Sequence, residues 1–336
     1  MKSKYIAGAA VTSLALFLTG CSGSAGAGGS SEETYDWDMT ITVGNTSTWH
    51  AGAEKFKEVL EEESDGRMKL NIFTNEQLSG GSPGAGVEQL MNGEKAFSYN
   101  STIIYAGLNE KFGAINAPFL YESYEQADAA IEASALEAYK KLGAEDGVEV
   151  LGFGESGFRQ ITNNVRPITQ PSDLQGIKLR IPGITLFQDI FRDLGANPAT
   201  MNFSEVFTAL QQGTIDGQEN PLDVTHSSGI TDVQKYMTMW NYVYDPLILG
   251  MNKDMFDALS PEDQDIVRKA AAEANDVQKQ QNRDKEETQL KEMSASMEVT
   301  ELTDSQLQAF RDVVAPLYET YKPKWGADLA DAVQPK

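Results

Sequence analysis

The chain has 336 residues, 40% of them apolar, with 27 Lys and Arg against 50 Asp and Glu, one Cys and two His. That length suits one large domain or two ordinary ones, with apolar residues enough to fill real cores. The net charge of −23 argues against sequence-independent nucleic-acid binding, which rests on Lys and Arg neutralising phosphates, while one Cys and two His leave no disulfide framework, no structural Cys-based zinc site and little scope for imidazole catalysis.

Residues 1–20 read as an export signal. Lys2 and Lys4 form a positive start, and the apolar stretch from Tyr5 to Leu18 is short of the roughly 18–20 residues that span a bilayer. It ends in Leu18-Thr19-Gly20-Cys21, which resembles the lipobox of bacterial lipoproteins. On that resemblance cleavage precedes Cys21, the sole cysteine, which then carries lipid; the alternative is an ordinary secreted protein. Residues 21–35 read as a tether, being Gly, Ser and Ala from Ser22 to Ser31, with no means of forming a core. Without Lys2 and Lys4 the balance becomes 25 − 50 = −25. Anionic headgroups repel such a body, so the anchor, not the surface, holds it at a membrane.

Residues 39–43 read as a strand, followed by a helix with the stripe Ala53, Phe56, Val59 and Leu60 that ends near Gly66. Met68, Leu70 and Ile72 alternate along 67–73 as in a half-buried strand. A short helix follows at Val87, Leu90 and Met91, then a strand at 96–99. Ala127, Ile131 and Ala135 recur at fourfold spacing within a predicted helix over 123–142, and 148–153 is a strand. From Ile177 the pattern repeats as a strand, a helix over 185–194 and a helix over 205–212. Ser260-Pro261-Glu262-Asp263 opens a helix that meets no Gly or Pro until well past Met293. Thr303 to Gln306 form a capping box for a last helix carrying Leu307, Phe310, Val314 and Leu317. The alternation predicts an α/β fold with an open, largely parallel sheet, in two lobes plus a helical C-terminal part.

Candidate chemistry is sparse. The glycine-rich segment from Ser79 to Gly86 precedes a helix as a phosphate cradle would. It lacks the Lys-Ser/Thr of a P-loop and Pro83 removes one donor, so a flexible turn able to line a site is the better account. Gly154-Glu155-Ser156-Gly157 has the wrong spacing for a nucleophile elbow. His50 and His226 have no motif around them, and no carboxylate run matches a metal loop; neither cofactor nor metal is expected.

The scarce arginines say more. In Gly176-Ile177-Lys178-Leu179-Arg180-Ile181, alternation places Ile177, Leu179 and Ile181 on one face and Lys178 and Arg180 on the other. They lie at the C-terminal end of a strand, where ligands bind in open α/β sheets. A guanidinium there can clamp a carboxylate through two parallel hydrogen bonds, or form an ordinary surface ion pair. Arg159 follows strand 148–153 in the same way, and two such arginines suggest one pocket for an anion. Phe203 begins the stripe Phe203, Val206, Phe207, Leu210 and is placed to face a cleft. Asn220 precedes Pro221, which pushes it out of helical conformation with its amide free to donate and accept.

Taken together these segments resemble the solute-binding proteins of TRAP transporters, the DctP-like family of periplasmic or lipid-anchored binders. The likeness runs from about Thr40 to about Ala274. It is densest across Gly157-Phe158-Arg159-Gln160-Ile161-Thr162-Asn163, Arg166-Pro167-Ile168, Asp173-Leu174-Gln175-Gly176, Lys178-Leu179-Arg180-Ile181-Pro182, Leu194-Gly195-Ala196-Asn197-Pro198 and Gly217-Gln218-Glu219-Asn220-Pro221. The resemblance implies two lobes joined by hinge strands, a long bracing helix, and a ligand enclosed between lobes that close on it, without enzymatic activity. It implies lobe 1 at 36–157 with a return segment at 246–285, and lobe 2 at 158–245 with C-terminal helices at 286–336. Carried over by motif, Arg180 is the main carboxylate clamp, Arg159 the second arginine, Phe203 an aromatic against the ligand and Asn220 an amide binding it.

Asn45, Gln77, Asn100 and Ser101 fall where the family's first lobe contacts the rest of the ligand. The implied partners are a small organic acid, the TRAP membrane subunits and, through Cys21, a membrane. Two departures stand out: the glycine-rich segment from Gly80 to Gly86 is long, and Tyr242 stands where a histidine often follows the hinge. Asn100, Ser101, Trp240 and Tyr244 suit a polyhydroxylated acid, whereas a C4-dicarboxylate would prefer a third cation. A sensory receptor of the same fold and, from another class, a surface hydrolase using carboxylate pairs are the alternatives.

Overall fold

The computed structural model describes residues 33–336; the expected export signal, Cys21 and the tether through Ser31 lie outside the described residues. The chain opens with β1 (Tyr35–Thr40), α1 (Thr48–Glu63), β2 (Met68–Phe73), α2 (Pro83–Met91), β3 (Phe97–Ser101) and α3 (Thr102–Ala106). The first strand therefore begins at Tyr35, ahead of the expected 39–43, and its end at Thr40 leaves Ile41 to Val43 as a buried approach to α1. Ser47 caps α1 by accepting from the Trp49 N–H, and Ser82 caps α2 with Pro83 at its first position. The glycine-rich segment is thus a turn into a helix, with Gly80 and Gly81 at positive φ.

The helix expected over 123–142 is α4 (Tyr124–Ala130) and α5 (Leu136–Glu145), joined by one π turn. Next comes β4 (Val148–Asn163), followed by β5 (Lys178–Ile181), α6 (Thr185–Asp193), β6 (Asn197–Thr200), α7 (Phe203–Gln211), β7 (Gly217–Pro221), α8 (Leu222–Ser227) and β8 (Tyr236–Met239). The chain returns through β9 (Tyr244–Asn252) and α9 (Lys253–Asp257), then runs along α10 (Pro261–Ser294) to β10 (Glu298–Glu301), α11 (Asp304–Trp325) and α12 (Ala327–Ala332). Both helix starts expected at Ser260 and Thr303 are present, the second as a complete capping box with Gln306.

The sheet order is β2-β1-β3-β9-β4-β7-β5-β6, with β10 on β8 and β8 on β4. It is mixed, not largely parallel. The outer pairs β1/β2, β1/β3, β5/β6 and β5/β7 are parallel, while β9 runs antiparallel to both β3 and β4, and β4 antiparallel to β7 and β8. The two antiparallel strands at the centre are those that pass between the halves of the molecule. β4, expected to stop at Phe153, continues for 16 residues. From Val148 to Phe158 it pairs with β9, and from Arg159 to Asn163 with β7. Two register shifts accompany the transfer, at Val150/Gly152 and at Glu155/Gly157, and Gly157 there has φ 105°, a value that other residues rarely adopt. At Gly154 a side chain would collide with the Tyr99 hydroxyl.

Two large apolar cores flank this sheet. One gathers Phe56, Leu60, Met39, Phe97 and Leu249 with Val267, Ala270 and Ala274 of α10. The other gathers Tyr105, Tyr139, Leu179, Phe187, Tyr242 and Phe310. The 34 residues of α10 extend for roughly 50 Å at 1.5 Å per residue. Its buried face is not purely apolar: Gln278 exchanges hydrogen bonds with the backbone N–H and C=O of Glu155, 2.7 Å each, and Asn282 accepts from the Thr48 hydroxyl at 3.1 Å. Further along, Gln289 donates to Asp223 of α8 at 2.9 Å. One helix thereby braces α1, the bulge in β4 and α8.

Candidate functional site

A cavity of about 230 Å³ lies where the start of α1, β3 and α3 face β5, β7 and the start of α7, with β4 and β9 beneath. Arg159, Arg180, Phe203, Asn220 and Ser101 all line it. Around its rim the halves already touch. Ser204 Oγ donates to Gly81 O at 3.0 Å, Thr46 Oγ1 to Ser227 O at 3.2 Å, and Ser47 Oγ to Asp223 Oδ2 at 2.6 Å. The glycine-rich turn supplies Ser82, Pro83 and Gly84 to the wall. Gly81 is needed at the rim, since a Cβ there would lie 2.9 Å from Ser204 Oγ.

The two arginines are equally buried, at 4% exposure each, and oppositely provided for. Arg159 sits where β4 exchanges β9 for β7, and both neighbours reach it. Its Nε donates to Glu219 Oε2 at 2.5 Å, Nη2 to Glu219 Oε1 at 2.9 Å, and Nη1 to Asp245 Oδ2 at 2.6 Å. Nη2 also donates to Asn220 Oδ1 at 2.9 Å. Burial alone would weaken its hold on the proton, but Glu219 and Asp245 outweigh that and keep it above the ordinary arginine range. Tyr242 donates to Glu219 at 2.5 Å and Ser101 to Asp245 at 2.5 Å, completing a fully hydrogen-bonded cluster. Burial still pushes the Asp245 carboxyl up to about 6, against the opposing pull of Arg159 and Ser101. The Tyr242 phenol is driven far above its usual range, first by burial and then by Glu219.

Arg180 has no such neighbours. Of the five N–H donors on a guanidinium, its Nε and Nη2 donate to Met201 O at 3.1 and 2.9 Å. It forms no ion pair among the described residues, and the Phe203 ring lies 5.7 Å from its Cζ. Burial lowers its pKa to about 10, Glu219 opposing and Arg159 adding to the fall. An unpaired buried cation is costly, and an anion entering the cavity removes that cost. β5 presents Arg180 this way because its alternation sends Leu179 and Ile181 into the core while Arg180 faces the cavity and Lys178 stays exposed.

The other expected contacts lie elsewhere. Asn45 and Gln77 are exposed and do not line the cavity. Asn100 is fully buried, but its amide is spent on the Thr42 N–H at 3.0 Å, Thr42 Oγ1 at 2.7 Å, Glu76 at 2.8 Å and Ser98 at 2.9 Å. Trp240 packs at a tilt against Tyr242, 4.5 Å between ring centroids, within the aromatic core. Tyr244 packs against Tyr121, Tyr124 and Phe158 and donates to Glu155 at 3.1 Å. His50 pairs with Glu54 and His226 with Glu292, both outside the cavity. Among the described residues no cluster of His, Cys, Asp and Glu could hold a metal ion, and no helix is long and apolar enough to cross a membrane.

Sequence reasoning missed Glu219, Asp245, Trp49, Ile103 and Ile104. The first two had a signal: each is the only carboxylate of its strand, one or two residues before a proline. Trp49, Ile103 and Ile104 read as ordinary core residues, and only the fold brings them to the cavity wall.

A two-lobed α/β fold with a long C-terminal helix is the architecture of the TRAP solute-binding protein structures on which this chain superimposes. Residues 39–324 match the model of the DctP family, bacterial extracellular solute-binding protein family 7. The chain belongs to that family of extracytoplasmic solute-binding proteins. It is 32% identical, over 86% of its length and 88% of the relative's, to the 2,3-diketo-L-gulonate-binding periplasmic protein YiaO of Escherichia coli. Among solved structures, the sugar acid binding protein DctPAm from Advenella mimigardefordensis, in complex with galactonate, superimposes with a TM-score of 0.85. That match has 32% identity and covers 90% of this chain and 97% of that one. A TRAP periplasmic solute binding protein from Ralstonia eutropha with bound (S)-2-acetolactate gives 0.86 at 30% identity, covering 89% and 97%.

Proposed function

We propose that this protein captures an organic acid by its carboxylate and delivers it to TRAP membrane subunits, held at the membrane by lipid on Cys21. The observation that carries the proposal is Arg180: buried, facing the cavity between the halves, and without an ion-pair partner among the described residues. A ligand carboxylate completes its unused N–H donors as a two-bond clamp, in surroundings where little water screens the pair. Arg159 acts through its neighbours, fixing Asn220 and Asp245 at the cavity wall instead of holding ligand itself.

One free cation suits one carboxylate, which favours a monocarboxylate over a C4-dicarboxylate. The compounds named with the three relatives, diketogulonate, galactonate and acetolactate, are monocarboxylates by their chemistry, which supports the same choice. Calorimetry tests the proposal. Arg180→Ala is expected to weaken binding of the acid released from natively purified protein by more than about 100-fold while the free protein stays folded. Unchanged affinity would sink it.

A further inference from the structure

The polar groups of the cavity wall are nearly all taken by the protein itself. Ser101 donates to Asp245 and accepts from the Ile103 N–H; Asp245 accepts from Arg159 and Ser101; Thr42 donates to Asn100. The Asn220 oxygen is taken by Arg159 and one of its amide hydrogens by Gln218 at 2.5 Å. What remains is the Arg180 guanidinium, the second Asn220 amide hydrogen, and two groups of other standing. Ser82 already caps α2 through the Ala85 N–H, and Asn202 is exposed. The rest of the wall is largely apolar, with Val43, Ile103, Ile104, Ile184 and Val224 among its residues, and Trp49 adds a ring whose buried Nε1–H has no hydrogen-bond partner.

A site of this composition rewards apolar contact and penalises every ligand hydroxyl that it seals away unpaired. We infer that the ligand is a small monocarboxylate with an apolar, branched body and a single polar substituent beside the carboxylate, not a polyhydroxylated sugar acid. This rests on the capture of a carboxylate by Arg180 and adds the chemistry of the remainder of the ligand. The hydroxyl-binding set expected from sequence, Asn100, Ser101, Trp240 and Tyr244, no longer argues for a polyol. Only Ser101 lines the cavity, and it is already engaged.

The test is calorimetry on the ligand-free protein with α-ketoisovalerate and α-ketoisocaproate against D-galactonate and succinate. A branched keto acid is expected to bind at least about 100-fold more tightly than galactonate, the cost of sealing two or more hydroxyls away from water. Its heat-capacity change on binding is expected to be negative, as burial of apolar surface requires. Ile104→Asn, at a half-buried wall position, is expected to weaken the keto acid about tenfold and leave the melting temperature of the free protein within a few degrees. Galactonate or succinate binding as tightly as the keto acids would overturn the inference, as would an Ile104→Asn variant that folds and binds them normally.

Arg180→Gln separates the two levels. If galactonate wins and Arg180→Gln abolishes its binding, carboxylate capture stands and the apolar body falls. If no acid in the panel binds, or if binding survives Arg180→Gln, both fall.

Discussion

Arg159 and Arg180 are buried to the same degree on the two strands that flank β7, and their surroundings leave them oppositely provided for. Arg159 has two carboxylates, an amide oxygen and a backbone carbonyl around it, so its charge is neutralised within the protein. Arg180 has one backbone carbonyl and an aromatic ring. The difference teaches how to separate a cation satisfied within the protein from one with donors to spare. Burial and position at a cleft are shared by both; unclaimed hydrogen-bonding capacity is not.

The most severe challenge to this contrast is to remove each guanidinium in turn. Arg159→Met leaves Glu219 and Asp245 buried without their cation, and is expected to cost about 3–5 kcal/mol of stability. That loss is read as a large fall in chemical-denaturation midpoint. Arg180→Met removes a charge that nothing neutralises, so the free protein should be as stable as the parent or more so, while losing ligand. Equal destabilisation by both would end the distinction.

The pH dependence of Asp245 refines it next. Its folded-state pKa is raised from 3.8 to about 6, so between those values the folded form holds more protons than the unfolded one. The contribution of this group to stability is therefore full at low pH and lost as pH rises through about 6. Asp245→Asn lacks that loss. The melting temperature of the variant relative to the parent should climb from pH 4 to pH 7, and a constant difference would show that the carboxyl does not titrate in this window.

A smaller effect belongs to Tyr242→Phe, which takes one donor from buried Glu219 at the closed end of the same cluster. About 1–2 kcal/mol of stability should be lost, with ligand affinity changed far less than by Arg180→Met. Smallest is Ser204→Ala at the rim. Its exposed hydrogen bond to Gly81 should be worth no more than a two- to fivefold change in affinity, with the melting temperature of the free protein unmoved.

Local chemistry was the most legible part of the sequence. The helix starts at Ser260 and Thr303 are fixed by side chains within one turn, and the alternation around Arg180 needs only four residues of strand. β4 was legible only to Phe153, because Gly152, Gly154 and Gly157 look like the end of a strand. The fold uses them instead to bulge and to admit Tyr99 against the backbone. Sheet direction was misjudged because alternating β and α segments do not reveal that β4 and β9 each pair antiparallel across the centre.

Of the expected site residues, Arg180, Arg159, Phe203, Asn220 and Ser101 line the cavity; strand ends, a helix start and a residue before proline pointed to the first four, and only the family resemblance to Ser101. The misplacements share one cause. Trp240, Tyr244 and Asn100 were credited with free polar atoms, but two carry large apolar rings that the core claims, and the amide of the third is used up by Thr42 and Glu76. A residue type shows what a side chain can offer; only the fold shows what it has left.

The cation of Arg180 also bears on how affinities for this protein must be measured. On the proposed capture of a carboxylate by Arg180, a small carboxylate present in excess, such as acetate or formate from a buffer, competes for the same guanidinium. Each such anion at concentration A multiplies the apparent dissociation constant of the true ligand by one plus A divided by its own dissociation constant. Titrations in carboxylate-free buffer should therefore give tighter binding than the same titrations in acetate, and extrapolation to zero competitor recovers the intrinsic constant.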